Sequence, residues 1–541
     1  MRFVVTKGVL PWYKIVEIDI SRQREYYRYI KTMLECARAH LTKLVIMDFL
    51  QKLKKGIAPV DSFVKKFIYT DYYMWLILAI VFIGWVARSA TFGFVALILT
   101  SSFVLLFADD ILPLIANILS AVLMIFTDTI DAFLYLWPTF IPLGLAIAVF
   151  VVRNVKIKVK TPGEKFHLGK MFFPRLAVSL ALLLGGVGVV SGEGYLMALP
   201  NTIALGIGVL AVYLLVRNFL KTGGDLDRSV YFAKILAYVG MVVGLQLVIA
   251  IARTGLAPAH WASGYWDIGW GNRNNVATYL IFTAPMCLFL STKHRYGVIY
   301  LLMAVFQYCC LVMTFSRGGI LFGMIAMVFG IAFTIWKAKD RKRQAMYVGG
   351  VIAVMVLCYL IFMDSVNDVI KSLLSRGTGL SGRDILYVEA WDLFKQKPFQ
   401  GHGLGYMGNG PGGVHEAINL YWFHSTFFQV IACMGILGIL AYGYNYVVKF
   451  MLLLKNWRNS FNLFVLVIFI GFEGYSMMDT GTMVPFPNMM LVAIMICMVE
   501  MFTSDRDTVT FDKLCRTEVY TREAALAVAE KSGEELAPIE A

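Results

Sequence analysis

Three side chains in the second half of the chain could bind a diphosphate and move a proton: Arg317, Arg383 and His424. Arginine stays protonated, and its planar guanidinium pairs with two phosphate oxygens at once. Arg317 lies in FSRGG and Arg383 follows a glycine. Two arginines from separate segments could therefore hold a diphosphate. The alternatives are that Arg317 reaches lipid phosphates and that Arg383 is a solvated loop residue.

His424 begins a long apolar stretch, WFHSTFFQVIACMGILGIL. A histidine at a helix N-terminus meets the positive end of the helix dipole, which disfavours the imidazolium form. A neutral imidazole is what a general base must be, and the same helix end attracts anions such as phosphate. The alternative is a histidine that only caps the helix or lies at the membrane interface.

Several other residues are candidates of lower rank. Arg376 precedes Arg383 by seven positions, and Glu473 and Asp479 lie towards the end of a later apolar stretch. An ionisable residue within a membrane segment is by default a functional candidate. Gly318 and Gly319, beside Arg317, would let the backbone approach a ligand closely.

The sequence indicates neither a metal nor a cofactor. Gly403, Gly405 and Gly408 satisfy GxGxxG, but neither a preceding strand nor a following Rossmann helix accompanies them. His402 and His415 lack partners at metal-ligand spacing, and the eight cysteines form no zinc pattern.

The elements that position these residues must be membrane helices. Of the 541 residues, 59% are hydrophobic and 16% are charged, whereas a soluble domain has roughly 45–50% and about 25%. Apolar runs long enough to cross about 30 Å of hydrocarbon recur along the chain. The composition predicts an all-α, polytopic membrane protein and excludes a soluble enzyme. The net charge of +14 is spread over loops, which argues against a nucleic-acid partner.

Hydropathy predicts fourteen spans, with twelve to fourteen as the range because those between 91 and 152 are crowded. The spans are 72–88, 91–108, 111–128, 133–152, 176–192, 199–220, 231–252, 276–292, 296–314, 318–336, 346–363, 424–447, 461–478 and 484–503. With the N-terminus inside, the basic loops 153–175 and 337–345 lie in the cytoplasm, as the positive-inside rule requires. Both termini are then cytoplasmic.

This threading divides the chain into four regions. Residues 1–71 form a cytoplasmic or interfacial segment, 72–252 the first transmembrane helices, 253–503 a core, and 504–541 an acidic cytoplasmic tail. The core contains one long extracytoplasmic loop, 364–423. Within it, RDILYVEAWDLFK (383–395) predicts an amphipathic helix whose apolar side chains lie over the membrane or under the loop. These side chains are Ile385, Val388, Trp391 and Leu393.

Together these features resemble the superfamily of O-antigen ligases and O-antigen polymerases, which are bacterial membrane glycosyltransferases. His424-Ser425, nine residues and then Gly435-Ile436-Leu437-Gly438 fit the family's His-[Asn/Ser/Gln]-x(9)-Gly-x-x-Gly pattern. FSRGG at 315–319, GR at 382–383 and PFQGHGLG at 398–405 add to the likeness. It covers about residues 265–445.

The resemblance implies a metal-independent, inverting transfer of a glycan from a polyprenyl diphosphate donor to an acceptor hydroxyl. Arg317 and Arg383 would hold the diphosphate, and His424 would act on the acceptor hydroxyl. Ser425, Arg273 and Asn275 would contact the substrates. The site would face outwards from a bacterial inner membrane, and the partners would be the lipid-linked donor, a glycan or glycolipid acceptor and the bilayer.

Ligase and polymerase both remain open, although the His-Ser pair leans towards a ligase. The long charged N-terminus and the number of spans depart from the family, whose ligases usually have about twelve. A glycan transporter is the alternative from another class. It would need ionisable groups at mid-membrane and broken helices, whereas here the polar residues concentrate at one face.

Overall fold

The computed structural model describes residues 63–124, 136–160, 166–186, 199, 202–221, 226–255, 273–294, 296–375, 382–404, 422–502, 508–509 and 520–521. The chain divides into two units, Met1–Lys66 and Phe67–Ala541. The second unit carries every candidate site residue and is described below. Residues 1–62 of the expected cytoplasmic or interfacial segment lie outside the described residues, and so does Arg376.

The second unit is helical. Its helices are α1 Asp71–Val86, α2 Ala90–Phe107, α3 Leu112–Ser120, α4 Trp137–Lys160, α5 Phe172–Gly186, α6 Val209–Phe219, α7 Arg228–Thr254, α8 Arg273–Lys293, α9 Gly297–Met313, α10 Arg317–Lys337, α11 Arg341–Ile361, α12 Met363–Ser375, α13 Arg383–Gln396, α14 Thr426–Lys455, α15 Ser460–Ser476 and α16 Met490–Met501. Short 3-10 or π turns occupy Ala121–Met124, Ala204–Gly208, Gly481–Met483 and Pro485–Met489. Thr508–Val509 pairs with Tyr520–Thr521 as an antiparallel ladder of two residues.

Seven helices among the described residues are long and apolar enough to cross a membrane: α2, α4, α7, α8, α10, α11 and α14. Seven shorter apolar helical stretches of 10–17 residues occupy the other predicted spans. The all-α multi-pass fold is therefore confirmed. Of the fourteen expected spans, seven coincide with helices long enough to cross a membrane, and seven coincide with shorter apolar stretches.

The core lies around α8, whose apolar stretch is 89% buried, compared with 28% for α10 and 11% for α11. Helix α8 packs against α7, α9, α10 and α15. Small residues let α10 approach closely, because a Cβ on Gly323 would lie 2.2 Å from Leu311 and one on Gly330 would lie 2.6 Å from Leu288. This packing places the first residues of α8 next to the first residues of α10.

A helix predicted in the long loop is present as α13, Arg383–Gln396. Ile385, Val388 and Trp391 are exposed, but Leu393 is buried with Ala390. The expectation that Leu393 shares their face was wrong, because α13 packs this side against α14. The loop also contains α12, which the sequence analysis did not predict.

Candidate active site

The carboxylate of Asp479 lies at the centre of the candidate site. It follows α15 and is 9% exposed. His424 Nδ1 lies 3.3 Å from its Oδ1, which also accepts a hydrogen bond of 2.8 Å from the Thr480 N–H. Its Oδ2 accepts hydrogen bonds from Tyr475 at 2.9 Å and Asn274 at 2.8 Å. The carboxylate is thus held by groups from three separate segments.

Arg383 reaches the same turn from the start of α13. Its Nη1 donates to the carbonyl oxygen of Met478, and its Nη2 lies 3.8 Å from Asp479 Oδ2. The arginine side chain is 25% exposed, which leaves part of the guanidinium facing outwards. His424 and Arg383, which are far apart in sequence, therefore meet on one carboxylate.

The residue before Arg317 belongs to this cluster. Ser316, the residue before α10, donates from Oγ to Asn274 Oδ1 at 2.8 Å, and Asn274 in turn donates to Asp479. Arg317 is the first residue of α10 and is half-buried. The free backbone N–H groups of this helix start add positive potential beside the arginine.

The two glycines of FSRGG serve packing. A Cβ on Gly318 would lie 3.3 Å from the ring of Tyr475, and one on Gly319 would lie 2.7 Å from the Cβ of Ala277. These contacts explain both glycines by packing. The approach of a ligand to this backbone stays a prediction. The two glycines bring the start of α10 against α8 and α15, and so bring Arg317 to the turn that Arg383 contacts.

The surroundings of Asp479 keep it ionised. Burial by itself raises the pKa of this carboxyl, but the hydrogen bond from His424 and the charge of Arg383 lower it, and the net pKa lies below the ordinary value. An ionised Asp479 stabilises a proton on His424 Nδ1. The Nε2 atom of His424 is then the acceptor of the ring.

The backbone of His424 is held in position by α13. The residue has φ of +49°, which is uncommon for a side chain other than glycine. Its carbonyl oxygen accepts a hydrogen bond of 3.2 Å from the Tyr387 hydroxyl, and the Tyr387 ring stacks on Phe428 with centroids 4.2 Å apart. The His424 side chain is 41% exposed, so the imidazole stays open to a ligand.

Helix α14 is broken at Gly435, where φ is +59° and ψ is −148°. The backbone groups released by the break bond to residues 398–403. Ile436 N donates to Pro398 O at 2.8 Å, and His402 N donates to Ala432 O at 2.8 Å. A Cβ on Gly435 would lie 2.4 Å from Pro398 O. The segment 398–403 therefore packs directly on the break in α14, which follows His424 in the chain.

The remaining predicted residues lie in different places. Arg273 and Asn275 are half-buried in the first turn of α8, on either side of Asn274. Ser425 is 2% exposed, so its hydroxyl is covered by protein. Glu473 is not part of the site, because it pairs with Lys449 and Tyr446 of α14.

His402 has a structural contact: its Nε2 lies 3.2 Å from the Leu393 carbonyl oxygen. Among the residues that the structure describes, no group of three His, Cys, Asp or Glu side chains is arranged to hold a metal ion. The cluster instead offers guanidinium groups, amide and hydroxyl donors, and one imidazole.

A family model described as O-antigen ligase matches residues 299–443, about a quarter of the chain. This segment contains Arg317, Arg383, His424 and the break at Gly435. Residues 299–443 are an O-antigen ligase domain. No curated protein matches the chain.

The protein is therefore a multi-pass membrane protein with an O-antigen ligase domain. Two groups that complete the cluster lie outside the matched residues, Asn274 before it and Asp479 after it. Asp479 was only a secondary candidate from sequence, and Asn274 was missed in favour of its two neighbours. Tyr387 was missed as well, because an aromatic residue on an amphipathic helix carries no distinct signal.

Proposed function

We propose that the protein transfers a glycan from a polyprenyl diphosphate donor to an acceptor hydroxyl, in the manner of an O-antigen ligase. The observation that carries the proposal is the convergence of His424 and Arg383 on Asp479. A base and a phosphate-binding cation must lie close together for this reaction, since the acceptor attacks the carbon from which the diphosphate departs.

His424 supplies the base in this proposal. Asp479 holds the proton on Nδ1, and Nε2 takes the proton of the acceptor hydroxyl as that oxygen bonds to the anomeric carbon. General base catalysis of this kind contributes roughly 10²–10⁴-fold. Tyr387, by fixing the backbone of His424, keeps Nε2 directed at the acceptor.

Arg383 and Arg317 supply the positive charge. The bond between the anomeric carbon and the diphosphate oxygen breaks, and its electron pair leaves with the diphosphate. Fixed guanidinium groups stabilise the charge that develops on this leaving group. A single displacement from the opposite side of the ring inverts the anomeric carbon, and in this scheme the arginines supply the charge that a metal ion supplies elsewhere.

We place the site at the extracytoplasmic face of a bacterial inner membrane, with both termini in the cytoplasm. The basic loops 153–175 and 337–345 support this orientation. The partners are then the lipid-linked donor, a glycan or glycolipid acceptor and the bilayer. Arg273, Asn275 and Arg376 remain proposed contacts to these substrates.

A polymerase would use the same arginines, with a second lipid-linked glycan as acceptor. A transporter is supported by two observations, the buried Lys449–Glu473 ion pair between α14 and α15 and the break of α14 at Gly435. Charges within membrane helices are expensive and frequently mark a transport path. The cluster around Asp479 favours the enzyme, because it joins a base to phosphate-binding cations.

The deciding experiment is incubation of the purified protein with a polyprenyl diphosphate glycan, with and without a glycolipid acceptor. We expect the glycan to appear on the acceptor, with release of polyprenyl diphosphate. A longer lipid-linked chain would indicate a polymerase. Unchanged donor, together with movement of the donor across the bilayer of proteoliposomes, would contradict the transferase.

A further inference from the structure

A second polar cluster lies inside the helices, around Arg175 in the first turn of α5. Arg175 is 4% exposed, and its Nε and Nη2 atoms have no hydrogen-bond partner among the described residues. The side chain lies against a cavity whose polar lining consists of Arg175, Tyr442, Asn445 and Thr482. Asn445 Oδ1 is also buried and unpartnered. Buried polar groups normally have partners, so something must occupy this space.

The charges around the cavity do not balance. Glu473 already forms a buried ion pair with Lys449, and Glu500 pairs with Arg217 at 3.5 Å. Among the described residues no carboxylate lies within 4 Å of Arg175, whose buried Nε and Nη2 atoms have no hydrogen-bond partner. Its guanidinium instead lies 5.9 Å from the centroid of the Tyr213 ring. An uncompensated buried charge is costly, so the occupant should carry a negative charge.

The size of the cavity limits the occupant. The space open to the centre of a water-sized particle is about 10 Å³, which is room for roughly one such particle. A phosphate group is too large, whereas a chloride ion is only slightly larger than a water molecule. A water molecule would fit, but it would leave the excess positive charge in place.

The lining suits a small anion. Arg175 presents unpartnered N–H groups, and the Asn445 amide can turn its Nδ2 towards the cavity, since the oxygen and nitrogen of an amide exchange places by a flip. The Thr482 hydroxyl also lines the cavity, and it shares a hydrogen bond of 2.6 Å with Thr426. We propose that this cavity is a buried site for one monatomic anion, chloride, held between α5, α14 and the turn Gly481–Met483.

The site has a structural consequence. The anion would connect α5 and α14 to the turn that follows Asp479, so its binding should stabilise the folded protein. Binding to the folded state alone raises the unfolding temperature with ligand concentration. The test needs no enzymatic activity, so its result is independent of the proposed glycan transfer.

The experiment measures thermal unfolding of the full-length protein in detergent, with sodium chloride replaced by sodium gluconate at constant ionic strength. We expect chloride, and bromide likewise, to raise the midpoint by roughly 2–5 °C in a saturable manner. Arg175→Gln should abolish this dependence. The control Arg217→Gln removes a half-buried arginine that already has its own carboxylate, and should keep the dependence.

A second variant guards against a failure of Arg175→Gln to fold. Asn445→Asp places a carboxylate in the cavity, where it would take over the role of the anion. We expect its midpoint to match that of the wild type in chloride and to be insensitive to halide. A wild-type midpoint that does not respond to chloride would indicate a water molecule in the cavity and overturn the proposal. Halide dependence that persists in Asn445→Asp would also overturn it.

Discussion

His424 Nδ1 lies 3.3 Å from Asp479 Oδ1, although the two residues are 55 positions apart in the chain. The pair joins the start of α14 to the end of α15. Arg383 meets the same carboxylate from α13, and Asn274 meets it from α8. One carboxylate thus positions an imidazole and a guanidinium relative to each other, and the predictions below depend on this arrangement.

His424→Ala should abolish glycan transfer, because it removes the proposed base, while donor binding and membrane insertion stay near wild type. Transfer is measured with purified protein and a lipid-linked donor, and donor binding is measured separately. The control His167→Ala changes an exposed histidine outside the cluster. Undiminished product from His424→Ala would remove this residue from the mechanism.

Asp479→Asn should lower kcat by roughly 10²–10⁴-fold with little change in KM. The amide keeps the shape but no longer fixes the proton on His424 Nδ1. Steady-state kinetics of transfer provide the measurement. Asp392→Asn, which changes an exposed carboxylate of α13, is the control. Equal kcat values for the two variants would show that Asp479 does not orient His424.

The stability of the protein should depend on pH through Asp479. Burial raises its pKa, but His424 and Arg383 outweigh burial, so the pKa in the folded state lies below the unfolded value. The ionised carboxylate therefore contributes stability above the unfolded pKa of about 3.9, and this contribution is lost as the pH falls through the folded pKa. Relative to Asp479→Asn, the unfolding midpoint of the wild type should be higher at neutral pH and converge in acid. A constant difference would contradict the inference.

Arg383→Lys and Arg317→Lys should each reduce transfer at least about tenfold, because an ammonium cannot make the two parallel contacts of a guanidinium. Initial rates at saturating donor are compared with those of Arg343→Lys, an exposed arginine of α11. Normal turnover by both site variants would refute the proposed diphosphate clamp.

Gly435→Ala should destabilise the protein by at least about 1–3 kcal/mol, the usual cost of a strained backbone conformation. The new methyl group would also contact the Pro398 carbonyl oxygen. Gly443→Ala is the matched control in the same helix, since a Cβ there meets nothing within 4 Å. It should be neutral or slightly stabilising. Chemical unfolding in detergent measures the free energy of unfolding of both variants. Equal values would mean that the break at Gly435 does not contribute to stability.

Part of the site could be predicted from sequence because charge is conspicuous in an apolar chain. His424 and Arg383, which meet on Asp479, were singled out in this way. Arg317 was singled out likewise and stays a prediction, and α13 was predicted from its periodicity. The choice between Asn274 and its neighbours could not be made, because it depends on the rotation of α8 about its axis, and a helix buried on nearly all sides has no polar face to fix that rotation. The partners of Asp479 and Glu473 were likewise unpredictable, since the two carboxylates have similar sequence surroundings and only tertiary packing separates them.

The hydrogen bonds between residues 398–403 and the break in α14 have a consequence for the proposed glycan transfer. Since α13 leads directly into this segment, and Tyr387 also ties α13 to His424, the proposed base and Arg383 are connected through α13. In the proposed reaction we expect an opening that admits a bulky lipid-borne sugar chain to move them together. The spacing between attacking oxygen and departing group would then be preserved through successive turnovers, whatever the length of the glycan.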